Sequence, residues 1–381
     1  MTRYRNLDIG NPLLDTDQPG LTARLHLDLP LLLGLLALSG AGLFVLYSAG
    51  DKSIVKVEAQ AMRLGVAFIA MILLAQVPPR LLRVWSAPLF LLGVLMLIAV
   101  LLVGDVGKGA QRWLDLGVVR FQPSELLKLA VPMMLAWFLV QRPLPPSAGR
   151  VLVGLGLIAA PVILIAKQPD LGTSLLVASA GLLVLFLAGM GWRLILLLFS
   201  LAAAAAPMLW LTMRPYQRQR VLTFLDPSSD PLGAGYHTIQ SQIAIGSGGI
   251  HGKGWLQGTQ SHLEFLPERS TDFIFAVIGE ELGLMGILVL LGLYLFVVLR
   301  GLAIAVQADD HFGRLLAGAL TLVFFVYLFV NTGMVVGLLP VVGVPLPLIS
   351  YGGTSLVTIM AGFGMVMSIH THRRRRRGAR H

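Results

Sequence analysis

The chain has 381 residues, 56% of them hydrophobic and 13% charged, with a mean hydropathy of +0.80 and a formal charge of +10. A soluble domain carries about 25% charged residues, so this composition excludes a soluble globular protein and points to a polytopic membrane protein. The lack of cysteine excludes disulfides, thiolate nucleophiles and iron–sulfur clusters.

A membrane-spanning helix needs about 20 mostly apolar residues. Ten segments qualify, at approximately 28–49, 60–78, 84–103, 125–141, 151–167, 172–190, 192–213, 273–299, 313–338 and 348–370. Continuous apolar runs such as Leu194 to Phe199, without strand-like alternation, fit helices rather than a barrel. The expected fold is all-α. It comprises a cytoplasmic tail (1–27), helices one to seven (28–213), a large extracytoplasmic loop (214–272), helices eight to ten (273–370) and a basic cytoplasmic tail (371–381). Of the 29 basic residues, 16 fall on the side of the termini, among them Arg80, Arg83, Arg150, Arg300 and Arg373 to Arg377, which predicts that both termini are cytoplasmic. The arginine run reads as an anchor beside anionic headgroups, with no nucleic-acid role. The first 27 residues have no apolar core of the signal-peptide kind, so the first span is expected to act as signal anchor.

Polar residues come in few places. Segment 104–124 holds Arg112 and Trp113 and leads into span four through Pro123, with Ser124 as expected N-cap and Glu125 in the first turn. Glu125 and Lys128 stand three apart on one helical face and are expected to pair, either as an interfacial salt bridge or as the lining of a substrate cavity. Trp113 taken alone reads as an interface aromatic. Between spans five and six, Gln168-Pro169-Asp170-Leu171-Gly172-Thr173 forms a tight charged turn.

The long loop opens with Arg214, Arg218 and Arg220, which anchor to headgroups or clamp a phosphate. Residues 236–245 place Tyr236, Ile239 and Ile243 on one side of an expected amphipathic helix on the outer leaflet. The glycine-rich stretch 246–254 is not a nucleotide loop, because Ser247 and Gly254 break the required spacing. Its amides are a candidate phosphate cradle, and Lys253 lies within it. Histidines 251, 262, 370 and 372 lack metal-ligand spacing, which argues against a zinc site. Asp272 stands where the polar loop meets an apolar span. Partial desolvation there would raise its basicity toward that of a general base, with Glu264, Glu268 and Arg269 as neighbours able to tune it; as an isolated feature it is a helix-terminal charge. Glu280 and Glu281, about two turns further, are expected to be buried and structural.

Together these blocks resemble the SEDS (shape, elongation, division and sporulation) family of membrane glycosyltransferases that polymerise peptidoglycan from lipid II. The matching residues are Arg112-Trp113-Leu114, Gln122-Pro123-Ser124-Glu125-Leu126 with Lys128, residues 168–173, Asp226-Pro227, Gly235-Tyr236 with Gln240-Ser241, and 244–249. Further matches are Pro267-Glu268, Thr271-Asp272-Phe273-Ile274-Phe275-Ala276, residues 279–283, and Pro345-Leu346-Pro347 with Ser350 to Ser355. Blocks 258–261 and 263–268 look like the elongation branch, RodA, more than the division branch, FtsW. Ser270 departs from the pattern, which expects histidine there, so an essential acid–base role for that neighbour is not implied.

The resemblance implies that Asp272 is catalytic and that Glu125, Lys128 and Asp170 line the cavity, with Arg112 and Trp113 in a matching block. Arg214, Arg218, Arg220, Lys253 and Arg269 are candidates to neutralise the departing diphosphate. No resident cofactor is implied, although a divalent cation, magnesium or manganese, is a candidate helper. Implied partners are a class B penicillin-binding transpeptidase, elongation-complex membrane proteins and lipid II in the cytoplasmic (inner) membrane. A lipid II flippase and a noncatalytic scaffold for a penicillin-binding protein are the alternatives from other classes.

Overall fold

The computed structural model describes residues 25–107, 110–115, 120–213, 215–227, 234–262 and 268–378. Ten long helices run in chain order: α1 Leu29–Ala49, α2 Ile54–Gln76, α3 Pro79–Val103, α4 Pro123–Leu139, α5 Ala148–Lys167, α6 Leu171–Leu187, α7 Trp192–Thr212, then, after the long loop, α11 Ile274–Val306, α12 His311–Val335 and α13 Thr354–Gly378. Each overlaps one of the ten expected spans. Seven are long and apolar enough by themselves to cross a membrane. The others are α4 and α6, with 17 residues each, and α7. A 17-residue helix rises about 26 Å, a little short of a hydrocarbon core of about 30 Å. The protein is a multi-pass membrane protein of all-α class.

The sequence dictates this arrangement through its apolar length and its small residues. In lipid each backbone group must be satisfied within its own helix, and helix association then depends on close packing. Here α13 lies along α2, α11 packs on α12 and α1, and α4 packs on α3 and α6. Helices α12 and α13 form the buried centre.

Between α3 and α4, β1 Asp105–Gly107, β2 Ala110–Asp115 and β3 Arg120–Phe121 form an antiparallel ribbon in the order β1-β2-β3. One expectation needs correction. The N-cap of α4 is Gln122 rather than Ser124, because Pro123, with its fixed φ and no N–H, takes the first helical position.

The long loop contributes α8 Pro215–Leu225, α9 Ala234–Gly248 and the short α10 Thr259–His262. The helix expected around 236–245 is present as α9. Thr238, Ser241, Ala244 and Gly248 face inward against α11 and α12, whereas Ile243 is 46% exposed. Ser241 Oγ donates to the Val335 carbonyl at 2.7 Å, so small side chains bring α9 close to α12.

Helix α11 is broken at Gly283, whose φ of 64° and ψ of −162° suit glycine alone. A break inside the bilayer frees carbonyls on one side and amides on the other. The glycine-rich stretch fills that gap. Lys253 N donates to Glu280 O at 3.0 Å and Gly254 N to Glu281 O at 3.0 Å, while Leu284 N donates to Gly249 O at 3.0 Å and Met285 N to Ile250 O at 3.1 Å. Glu280 and Glu281 are buried, as expected. Glu280 Oε1 accepts from Lys253 Nζ at 2.8 Å and from the Gln260 amide at 2.8 Å, and Glu281 Oε1 accepts from Ser48 Oγ at 2.5 Å. The first part of α11, residues 274–282, is therefore a short rod fixed at its inner end.

At the end of the bundle that carries the termini, Asp28 caps α1 and accepts from Arg300 Nε at 2.9 Å and Nη2 at 2.6 Å. His370 Nε2 lies 3.4 Å from the same carboxylate.

Candidate active site

The opposite, loop-bearing end holds Asp272. It stands two residues before α11, half-buried, in a turn tied down by the 336–353 connection. Asn331 Nδ2 on α12 donates to the Asp272 carbonyl at 2.9 Å and to the Val344 carbonyl at 2.8 Å. Ser350 Oγ donates to the Thr271 carbonyl at 2.6 Å, and the Tyr351 amide to the Ser270 carbonyl at 2.8 Å. Gln60 on α2 completes the brace: its Nε2 donates to the Ser350 carbonyl at 3.2 Å and its Oε1 accepts from the Gly352 amide at 3.2 Å. The carboxylate lies against Gly343, where a Cβ would stand 3.5 Å from Asp272 Oδ2.

Asp170 reaches the same place from α6. Its Oδ1 caps that helix at the Thr173 amide, 3.2 Å, and its Oδ2 accepts from Gln122 Nε2 at 3.1 Å. Arg112 donates through Nη2 to the Pro169 carbonyl at 2.6 Å and sets Nε 3.7 Å from Asp170 Oδ2. Gly172, two residues on, packs directly against the Val342 carbonyl, beside the glycine that faces Asp272.

Glu125 and Lys128 form the expected pair, Nζ to Oε1 at 2.7 Å, with both side chains buried. Lys128 Nζ also lies 5.4 Å from the centroid of the Tyr327 ring. Glu125 Oε2 and the Tyr327 hydroxyl have no hydrogen-bond partner among the described residues. Such a buried carboxylate oxygen marks a place where a polar ligand or water completes the structure. Glu125 lies in the wall of a cavity of about 540 Å³ between α2, α4 and α13, with Met62, Val66, Phe121 and Val357 as apolar lining and Arg63, Gln122 and Thr354 as polar lining. Met62 is 68% exposed, so the cavity opens on the flank of the bundle where lipid lies.

The family described as "Cell cycle protein", which covers FtsW, RodA and SpoVE, matches residues 22–375. This chain belongs to the SEDS family. It is 57% identical over 352 residues, 92% of this chain and 95% of the relative, to the peptidoglycan glycosyltransferase MrdB of Escherichia coli (strain K12). It is 36% identical over 358 residues, 90% of this chain and 94% of the relative, to a probable peptidoglycan glycosyltransferase FtsW of Geobacter metallireducens. Among solved structures, a chain of a peptidoglycan synthase complex that coordinates polymerization and crosslinking matches with a TM-score of 0.79 at 34% identity, covering 91% of this chain and 98% of that one. The rod shape determining protein RodA of Thermus thermophilus matches with a TM-score of 0.69 at 31% identity, covering 91% and 97%. The higher identity to MrdB agrees with the elongation-branch features of the long loop.

Within this SEDS chain the fold brings Asp272, Asp170, Arg112, Glu125 and Lys128 to one end of the bundle, and Trp113 lies half-buried on β2 nearby. It does not leave the candidate cations free. Arg269 is buried and paired with Asp51 in the α1–α2 turn. Lys253 is engaged with buried Glu280, and the amides of Lys253 and Gly254 with the break in α11. Arg218 closes the end of α7, donating to the Trp210 carbonyl at 2.9 Å and the Leu211 carbonyl at 2.6 Å. Arg220 lies half-buried on α8. Arg214 and Glu264 fall outside the described residues, and Glu268 is exposed and accepts from Thr271 Oγ1 at 2.7 Å. Among the described residues no three histidine, aspartate or glutamate side chains come together to hold a metal.

Sequence reasoning missed Asn331, Gln60 and Arg63, and it placed Ser350 in a matching block without a role. For Asn331 the signal was a polar amide in an apolar span, which in lipid normally has a specific partner.

Proposed function

We propose that this protein is a peptidoglycan glycosyltransferase that polymerises lipid II into glycan strands at the outer face of the cytoplasmic membrane during cell elongation, with both termini cytoplasmic. Kinship with MrdB supports the reaction class. The observation that carries the residue assignment is the bracing of the turn that presents Asp272 by three separate hydrogen bonds, from Asn331 to Asp272, from Ser350 to Thr271 and from Tyr351 to Ser270. A base acts well when its position is fixed before the reaction.

In this reading the 4-hydroxyl of one lipid II sugar attacks the anomeric carbon of the growing strand. The new C–O bond forms as the bond to the polyprenyl diphosphate breaks, and the diphosphate leaves with the electron pair. Asp272 takes the hydroxyl proton, a contribution of roughly 10²–10⁴-fold. The diphosphate leaves without protonation, so a second carboxylate as general acid is not required. Glu125, Lys128 and Asp170, with Arg112 and Gln122 around Asp170, form the polar wall against which the sugars bind. A magnesium or manganese ion held by one or two carboxylates and the substrate diphosphate remains a candidate helper, and no step here depends on one. The synthase-complex neighbour supports a class B penicillin-binding protein as partner.

The test is polymerisation of purified lipid II by the reconstituted protein with that partner, its transpeptidase serine disabled. Long strands from wild type and none from folded, still complexed Asp272→Ala are expected. Equal product from the variant would move the base to Glu125 or Asp170.

A further inference from the structure

A glycosyl transfer that expels a diphosphate needs a cation beside the leaving group, and several cations are engaged with other groups, while Arg220 lies half-buried on α8. Lys128 is held by Glu125, Lys253 by Glu280, Arg269 by Asp51 and Arg112 by Asp170, and Arg218 closes a helix end. Arg63 on α2 differs. Its guanidinium lies 4.4 Å over the Tyr351 ring, in the wall of the 540 Å³ cavity, and among the described residues no carboxylate pairs with it. Stacking on a ring fixes the guanidinium plane and leaves its N–H edges available, the geometry that suits bidentate phosphate binding.

The surroundings narrow the ligand. Met62, Val66, Phe121 and Val357 give the cavity an apolar trough open to the bilayer, with Arg63 as its cation, while the charge of Glu125 is already matched by Lys128. That combination fits a long isoprenoid chain carrying a phosphate head. The position also fits: Tyr351, on which Arg63 stacks, donates its amide to Ser270, two residues before Asp272. Gln60, one turn from Arg63 on α2, holds Ser350 and Gly352 on either side of that tyrosine. Phosphate bound at Arg63 would thus lie beside the turn that presents the base.

We propose that Arg63 is the diphosphate-binding residue of this chain, gripping the head of a polyprenyl diphosphate glycolipid and stabilising the charge that builds on it as the glycosidic bond breaks. The proposal rests on the glycosyl-transfer reading. Its test measures binding as well as turnover: the full-length protein in micelles is titrated with undecaprenyl diphosphate, with undecaprenol and with phosphatidylglycerol, for wild type, Arg63→Gln and Arg63→Lys.

Loss of a charge-assisted contact should weaken undecaprenyl diphosphate binding about tenfold or more in Arg63→Gln. Arg63→Lys, which keeps the charge without the fork, should fall between. Undecaprenol should bind equally to all three, and thermal unfolding should stay at the wild-type temperature. Equal affinity of wild type and Arg63→Gln for the diphosphate would overturn the proposal, as would wild-type binding of phosphatidylglycerol as tight as that of the diphosphate. The two readings fail separately: wild type that binds the diphosphate through Arg63 but forms no glycan from lipid II, with its partner present, would refute the glycosyl-transfer reading and uphold the binding site.

Discussion

Asn331 holds Asp272 by its main chain: one side-chain nitrogen donates to the Asp272 carbonyl at 2.9 Å and to the Val344 carbonyl at 2.8 Å. The residue is fully buried. Asn331→Leu should leave both acceptors unsatisfied at a cost of about 1–3 kcal/mol each and let the Asp272 turn drift from Gly343. Because misplacing a base affects the chemical step more than substrate capture, kcat for lipid II polymerisation should fall about 10–100-fold with little change in KM. Asn331→Asp, which offers oxygens where donors are needed, should be no better. Steady-state kinetics decide it: a rise in KM at constant kcat would mean that Asn331 serves substrate binding instead.

The break in α11 makes a second, separable prediction. A Cβ at Gly283 would meet Gly252 N at 2.3 Å and the Ile250 carbonyl at 2.7 Å, at a φ of 64°. Gly283→Ala should therefore push the glycine-rich loop off the broken helix and lower the thermal unfolding temperature. Lys253→Met removes the partner of fully buried Glu280 and should destabilise by about 3–5 kcal/mol. Since Lys253 points into this joint, KM for lipid II should stay unchanged in the fraction that remains folded. A large rise in KM without loss of stability would restore Lys253 to the phosphate clamp.

What the sequence made legible were features carried by local pattern. Apolar length placed the ten long helices, three-residue spacing placed Glu125 against Lys128, and the polar-to-apolar boundary placed Asp272 at the entry to α11. Partnerships across the chain were not legible. Arg269 finds Asp51 across 218 residues, and nothing near either one announces the other. The glycine-rich stretch looked like a phosphate loop because its amides seemed available, but they pair with a helix break encoded thirty residues later at Gly283. The inward face of α9 was not legible either, because packing against α11 selects the small residues Ser241, Ala244 and Gly248 rather than large apolar ones.

The Glu125–Lys128 pair can be split into a structural and a functional part. Removing one partner strands a buried charge, so Lys128→Met alone should cost about 3–5 kcal/mol. Glu125→Gln alone should be milder, since a neutral amide still accepts from Lys128. The double variant Glu125→Gln/Lys128→Met should recover most of the stability, because no net charge remains buried. If the pair also forms the polar wall of the cavity, polymerisation should not recover with it. Unfolding temperature and glycan yield measured on the three variants separate these parts, and parallel recovery of both would reduce the pair to a structural role.

At the other end of the bundle, Asp28 gives a pH dependence with a definite sign. Asp28 lies one residue outside the first span, and burial by itself would push its carboxyl upward. The hydrogen bonds from Arg300 and the Leu31 amide, with the charges of Arg300 and His370, outweigh that and hold it below its ordinary value of 3.8. A carboxylate with a lowered folded-state pKa adds stability that is fully present above the unfolded value and is lost as the pH falls through the folded one. Asp28→Asn should therefore lower the unfolding temperature at neutral pH, since Arg300 loses the charge it is paired with. The gap between the variant and wild type should stay constant from neutrality down to about pH 4 and close only in stronger acid. Unfolding curves in detergent across that range supply the check, and a gap that closed near pH 6 would assign the dependence to His370 instead of Asp28.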